Sequence, residues 1–492
     1  MEINKYRYID EIINSYNKIV AWGAGHYFES YYNLFAGRIS YIVDNDSSKE
    51  GHKRYGLTIY SPEKLKEETP SSCLIIVFCG AYEEVVKDIV KYGEFDAADA
   101  SVYQLIHKIK IEASEESMIN TPGEHMILSC ASVEMLWKAN GVNKFIQNQN
   151  HILYQEGFHL LEIAPVLFHT NHRKKSGLLA VCLDQCFLGV FSLAELLEMN
   201  KLFHGVIIHS LYHEPWILEQ LLDEIFVETK ILYYLHDFYV ICKRRFLYNK
   251  NELCLKENKN LKCRYCENCE EQIKNVEYHK HLFEKFSVIL IAPSKSTRDI
   301  VKCFLDNIEI DVLPHLNYKL KKYNRHISEI QNIAYIGYPS DIKGWEEFCE
   351  LEKNLRSEYN FFCLGKCQED LKVEGITYVD IGKDRDQNEI SMVEGLKKYK
   401  IDIAYVGSIW PETYSYTYHE AFEAGCFVIA FEAGGNVKDQ IDINKNGKWF
   451  TSVQKMSEWL SDKQTVQKVM DGTCNFIGEI KPDDAFLKYF DN

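Results

Sequence analysis

The stretch W-P-E-T-Y-S-Y-T-Y-H-E-A-F-E-A-G, Trp410–Gly425, decides the fold of the half of the chain around it. Ahead of it, the mostly apolar run Ile401–Val406 has the length and composition of a strand buried in a parallel sheet. Beyond the strand exit the residues predict a helix ending at Gly425. Glu412 stands just past the strand, and Glu420 follows eight positions later. With helical residues between them, the two carboxylates lie about 12 Å apart along the axis. That spacing suits a ligand with hydroxyls at both ends and a diphosphate between. A helix N-terminus offers such a diphosphate its N–H groups and the positive end of its dipole. Two glutamates at this spacing also occur on any solvated helix face. The neighbouring residues decide between the readings.

Downstream, Cys426–Phe431 is a further strand, followed by the Gly434-Gly435 pair. Upstream, Asn332–Gly337 is a strand entering the turn G-Y-P-S-D-I-K-G, Gly337–Gly344, and Asn360–Leu364 and Thr377–Ile381 continue the pattern. Strands alternating with helices favour parallel sheets over a β-sandwich. Further back, Gly205–His209 and Ile231–His236 are strands whose exits carry histidines. In open α/β sheets such exits face the ligand crevice. Phe286–Pro293 is a strand, Ser294 caps the helix Thr297–Phe304, and Pro314–Ile330 reads as a basic, irregular hinge.

Together these segments, from about Glu124 to the C-terminus, resemble family 4 of the retaining GT-B glycosyltransferases. The donor site of that family is built on an E-x7-E segment. The resemblance implies a pair of facing Rossmann-like domains: an acceptor domain over 124–325 and a nucleotide-sugar donor domain over 326–492. It places Glu412 against the donor sugar and Glu420 on the ribose hydroxyls. Ser415 and Tyr416 would present backbone N–H groups to the diphosphate, and Lys343 would neutralise its leaving charge. Gly141, in the loop Asn140 to Asn143, would close over the diphosphate from the other domain. His236 of the His236-Asp237 pair would lie beside the donor sugar, with Asp237 orienting it or capping the next turn. The catalytic set is then His236, Lys343 and Glu412. The chain departs from the family at Ser415 and Asn140, where glycine is usual. It departs again at Tyr338, which replaces an arginine and would stack or hydrogen-bond instead; Arg385 is a candidate substitute cation.

The implied reaction moves a sugar from a nucleoside-diphosphate-sugar to a hydroxyl acceptor with retained configuration, in bacterial glycan or glycoconjugate biosynthesis. No convincing D-x-D segment occurs in the donor domain, so no metal or other cofactor is expected for catalysis. Two other classes stay open: an epimerase or phosphorylase of the same architecture, and a non-catalytic nucleotide-sugar-binding scaffold. The acceptor is left open among glycan, lipid-linked sugar, protein and small molecule, as are the donor's base and sugar.

The first 112 residues read as a separate Rossmann-like accessory domain. K-I-V-A-W-G-A-G, Lys18–Gly25, is a strand entering a glycine turn; Ile39–Asp44 is a second strand ending in an acid; Leu74–Gly80 is a third, followed by the helix Glu83–Tyr92. This is a degenerate dinucleotide fingerprint, with Gly23, Gly25 and Asp44 as candidate nucleotide residues and Phe28 where the third glycine belongs. It resembles small modules fused to sugar-modifying bacterial enzymes. A polar linker, Glu112–Glu124, follows. Within 242–269, Cys242, Cys254, Cys263, Cys266 and Cys269 form a candidate structural zinc site using four of the five thiolates, the alternative being a loop of reduced thiols.

At 492 residues the chain exceeds one ordinary core. Its net charge of −16 and lack of a basic tail exclude general nucleic-acid binding. Met1–Asn17 is charged throughout, unlike a signal peptide, and no apolar run approaches membrane-spanning length. Sixteen cysteines without a secretion signal point to a reducing cytoplasm, with peripheral contact at the inner face of the membrane left open.

Overall fold

The computed structural model describes residues 13–80, 82–107, 125–132, 136, 140–166, 168–169, 178–210, 215–242, 245–249, 252–253, 269–322, 331–381, 390–473 and 476–491. They group into two compact units, Met1–Leu232 with Leu487–Asn492, and Tyr233–Phe486.

In the first unit, strands β1 (Lys18–Trp22), β2 (Ile39–Val43), β3 (Lys53–Arg54), β4 (Leu57–Tyr60), β5 (Cys73–Val77) and β6 (Asp96–Asp99) form one sheet. Helix α1 (His26–Tyr31) follows β1. The parallel strands run β4-β2-β1-β5-β6, which is 3-2-1-4-5 in order of appearance, so the sheet reverses direction of growth between β1 and β5. Short apolar runs such as C-L-I-I-V are buried throughout, as a strand covered on both faces requires. A second sheet contains β7 (Met126–Ala131) and β8 (His159–Val166), joined through helix α2 (Gly141–Gln155). Asn140 caps that helix by accepting from the Asn143 N–H at 2.9 Å. The two-residue strand β9 (Phe168–His169) leaves this second region and pairs antiparallel with β6, on the edge of the first sheet. Strands β10 (Leu178–Leu183), β11 (Cys186–Ser192) and β12 (Gly205–His209) continue the second sheet within this unit, in the order β11-β10-β8-β7-β12. The hairpin β10–β11 makes it a mixed rather than purely parallel sheet. Its turn, Asp184-Gln185, holds both residues at positive φ. The C-terminal tail belongs to this unit: Phe490 is buried, its carbonyl accepts from His204 Nε2 at 2.8 Å, and its ring fills the space beside Gly205.

Strand β13 (Ile231–Tyr234) leads into the second unit. There α3 (Lys295–Lys302) is capped by Ser294, whose Oγ accepts from the Thr297 N–H at 3.2 Å. The expected hinge is in part a regular strand, β14 (Leu316–Lys322). Its L-N-Y-K-L-K-K alternation puts Tyr318 against Phe422, and the strand pairs antiparallel with a C-terminal segment far away in sequence. That long-range pairing is invisible to a local pattern.

The main sheet of the unit contains β15 (Asn332–Ile336), β16 (Asn360–Leu364), β17 (Ile376–Val379), β18 (Ile403–Val406), β19 (Phe427–Phe431) and β20 (Gly447–Phe450). All its pairings are parallel and the order is β17-β16-β15-β18-β19-β20, the doubly wound 3-2-1-4-5-6 arrangement. Period-two alternation along β18 sends Ile403 and Tyr405 into one core layer and Ala404 and Val406 into the other. Helix α4 (Tyr416–Ala424) packs on the second layer through Tyr418, Ala421 and Phe422. It ends at Gly425 in the left-handed conformation (φ 81°), which costs glycine little. Strand β21 (Phe476–Pro482) is the partner of β14. The chain is therefore α/β, built on Rossmann-like parallel sheets. Among the described residues no helix is long and apolar enough to cross a membrane.

Candidate functional site

The sheet of the second unit reverses between β15 and β18, so the loops leaving these two strands border a crevice. The loop after β15 runs from Gly337 (φ 107°) to Gly344 (φ 70°). Gly344 lies so close to the Gly407 carbonyl that a Cβ there has no room, and its own carbonyl accepts from Tyr405 Oη at 2.9 Å. This close approach of the two loops carries Lys343, in a 3-10 turn, onto the loop after β18.

There Lys343 Nζ forms an ion pair with Glu412, and Ser408 Oγ donates to the same carboxylate oxygen. Glu412 is 2% exposed, while the lysine side chain is 40% exposed and reaches solvent. A carboxylate this deep keeps its charge only with such partners. The glycine pair fixes the turn from behind: a Cβ on Gly435 (φ 57°) would stand 2.8 Å from the Glu412 carbonyl oxygen. The next residue, buried Asn436, donates its N–H to that carbonyl at 2.9 Å and accepts from the Ser415 N–H at 3.2 Å. Ser415 caps α4, its Oγ accepting from the Tyr418 N–H.

The Ser415 N–H expected on a diphosphate is engaged by the Asn436 side chain. Tyr416 and Glu420 lie one helical turn apart; Tyr416 is partly buried, and burial together with the Glu420 charge pushes its phenol above the ordinary range. Tyr338 is half exposed, with its hydroxyl accepting from Gln368 Nε2 and its carbonyl accepting from Tyr335 Oη at 3.1 Å.

His236 belongs to the same unit. Its carbonyl accepts from Thr413 Oγ1 at 2.6 Å, so the His-Asp turn is tied directly to the residue after Glu412. The ring stacks on Tyr234 with centroids 5.8 Å apart and meets His315 edge-on at 5.4 Å. Burial drives its pKa down to about 3, so the imidazole is neutral at physiological pH. Asp237 accepts from the Tyr239 N–H at 2.9 Å and therefore caps the following turn, one of its two expected roles. Burial raises its pKa to about 7, against smaller lowering by the Tyr239 N–H and Arg245.

The structure adds residues that sequence reasoning missed: Ser408, Thr413, Asn436 and His419. His419 is 1% exposed on α4, stacked on Tyr414 at 4.9 Å, and held by burial at a pKa of about 3. Asn436 had a usable signal, since it follows the glycine pair. Nothing local marks the other three.

Of the remaining expected residues, Gly141 is the first residue of α2 in the other unit. Gly23 (φ 104°) is required, because a Cβ there would stand 2.9 Å from the Phe78 carbonyl oxygen. Gly25 has open space where a Cβ would stand and takes an ordinary φ of −92°. Both Asp44 oxygens are used by the protein: Oδ2 accepts from the Ala24 N–H at 2.8 Å and pairs with Lys49 at 3.0 Å, and Oδ1 accepts from the Asp46 N–H at 2.9 Å. Phe28 is fully buried against Phe78. Asp44, a candidate nucleotide residue, thus bonds within its own turn. Of the five cysteines, Cys242 is buried. Cys254, Cys263 and Cys266 lie outside the described residues, as do the side chain of Cys269 and the candidate cation Arg385. Among the described residues no group of His, Cys, Asp and Glu forms a metal site.

A doubly wound sheet with a charged turn at its switch point defines an α/β protein with Rossmann-like domains. No protein-family model matches the chain, and no curated protein sequence matches it. Solved structures of glycosyltransferases do. Sucrose-phosphate synthase from Thermosynechococcus elongatus aligns at a TM-score of 0.45 and 12% identity, over 71% of this chain and 95% of that one. A glycosyltransferase from Rickettsia africae aligns at 0.43 and 14%, over 71% and 91%. Anabaena HepE, solved in complex with UDP, aligns at 0.37 and 10%, over 96% of each chain. Identities this low assign no residue its role.

Proposed function

We propose that the chain is a retaining glycosyltransferase of the family 4 type, moving a sugar from a nucleoside-diphosphate-sugar to a hydroxyl acceptor. The observation that carries this reading is the buried Glu412, paired to half-exposed Lys343 at the switch point of a doubly wound sheet. Residues 326–492 serve as donor domain, 124–325 as acceptor domain and 1–112 as an accessory module. The reaction belongs to cytoplasmic glycan or glycoconjugate assembly.

As the glycosidic bond breaks, negative charge grows on the leaving diphosphate. Lys343 moves from Glu412 to that diphosphate, and the N-terminus of α4 near Tyr416 adds its dipole. Glu412, still held by Ser408, then accepts from a hydroxyl of the donor sugar. Glu420 takes the ribose hydroxyls. The neutral His236 ring hydrogen-bonds a sugar hydroxyl without adding charge beside an oxocarbenium-like centre. The acceptor attacks from the face the diphosphate leaves, and a donor phosphate oxygen receives its proton. The positive charge needed is supplied by protein groups.

The test is a screen of nucleotide-sugars with acceptor panels, reading free nucleoside diphosphate and the anomeric proton of the product. Diphosphate release that requires acceptor, with retained configuration, is the expected result. Epimerised donor, phosphate-dependent cleavage, or binding without turnover would each overturn it. Glu420→Ala should weaken nucleoside-diphosphate binding by about 1.5–3 kcal/mol in calorimetry, the value of a lost charge-assisted hydrogen bond.

A further inference from the structure

The hairpin β3–β4 of the N-terminal module turns through two residues, Tyr55 and Gly56, both at positive φ (49° and 81°). Such a turn matches the twist of its strands and is ordinarily built from Asn, Asp or Gly. A tyrosine there holds its backbone in the left-handed region, at a cost its neighbours must offset. What it presents is an aromatic face. The Tyr55 ring is 57% exposed and lies nearly parallel to Tyr32, 4.4 Å away at 14°, with buried Phe28 behind Tyr32 at 5.3 Å. One face is thus backed by rigid rings and the other meets solvent. Beside it Arg54 pairs with Glu29 of α1, both half exposed, so hydroxyl-binding groups of opposite sign stand next to the ring.

We propose that Tyr55, backed by Tyr32 and bordered by Arg54 and Glu29, is a stacking platform for a pyranose ring of a glycan. The weakly positive C–H face of a sugar ring packs on the electron-rich face of a tyrosine, while its equatorial hydroxyls reach polar groups at the edge. A nucleotide would bring phosphate, and Arg54, the cation adjoining the turn, is already paired with Glu29. The site stands independently of the transferase reading.

Its test uses the full-length protein and three probes: maltohexaose, chitohexaose and xylohexaose. Saturation-transfer NMR should show contact at the sugar C–H protons of at least one probe, with affinity reduced at least tenfold in Tyr55→Asn. Asparagine suits the turn, so this variant should melt at the same or a higher temperature. Tyr55→Phe should keep the binding. Absence of contact with all three probes overturns the platform. So does contact unchanged in Tyr55→Asn, or a lowered melting temperature without loss of binding, which would make Tyr55 a packing residue. Tyr55-dependent binding of AMP or UMP in place of the oligosaccharides overturns it in favour of a base. Sugar binding at Tyr55 in a protein without transferase activity upholds this site and rejects the transferase reading alone.

Discussion

The N-terminal module and the second unit carry sheets with the same opening order, 3-2-1-4-5, and each places a glycine turn at the reversal. At the module's reversal the crevice is filled. Gly23 presses on the Phe78 carbonyl, Phe28 packs beneath, Tyr27 leans its hydroxyl toward Gly80, and Asp44 spends both oxygens on its own loops. At the other reversal a charge pair joins the two loops, with the lysine reaching solvent. The same opening strand order therefore yields a closed turn in one place and a charged one in the other. The difference lies in which side chains the loops carry.

The sharpest way to break this comparison is to neutralise the acid of each turn. Glu412→Gln should lower transfer by about a hundredfold or more, the scale of a lost transition-state contact in a dry site. Asp44→Asn should leave transfer unchanged and cost about 1–2 kcal/mol of stability, because a charged acceptor of backbone N–H groups is weakened. Equal effects on single-turnover rates would erase the distinction.

His236→Ala tests whether the second crevice extends to the His-Asp turn. It should slow transfer by about ten- to a thousandfold with nearly unchanged nucleotide affinity. A destabilised but catalytically normal variant would make His236 a packing residue.

The glycines give a purely structural contrast within the module. Gly23→Ala, with backbone in its way and φ positive, should destabilise by about 2 kcal/mol, and Gly25→Ala by no more than about 0.5 kcal/mol. Calorimetric melting would check both. A large Gly25 effect would mean that backbone approach at that position matters after all.

Smallest in reach is a pH effect. His236 and His419 titrate in the fold near 3 and His279 near 4, all lowered by burial. Below about pH 6.5 the unfolded chain binds protons there that the fold refuses, so stability falls as pH drops. Asp237, raised to about 7, works the other way and gains stability as pH falls from 7 toward 3.8. Three losses against one gain give a net loss of about 2 kcal/mol from pH 7 to 5.5. Chemical denaturation at both values would show it, and His419→Leu should flatten the slope by about half.

Much of this was legible in the sequence where information is local. The β18 run, the stop at Gly425 and the Ser294 cap follow from period, a left-handed glycine and a hydroxyl before a helix. Glu412 and Lys343 were visible as candidate residues, but their pairing was not. It depends on Gly344 meeting Gly407, 63 positions later. Asp44 is ambiguous for the complementary reason: an acid after a second strand serves a nucleotide or its own loop equally well, and its bonds to the Ala24 and Asp46 amides do not show in the local pattern. The strand β14 was missed because its partner is supplied by residues 476–482.

The tail residues Leu487–Asn492 have a consequence for biosynthesis. They complete the first unit, yet the ribosome makes them only after the whole of Tyr233–Phe486. At about 5–20 residues per second, the nascent first unit waits on the order of ten seconds to a minute with the Phe490 seat beside Gly205 empty. During that interval His204 has no Phe490 carbonyl to bond. Vectorial synthesis thus favours finishing the charged turn before the module-bearing half is sealed.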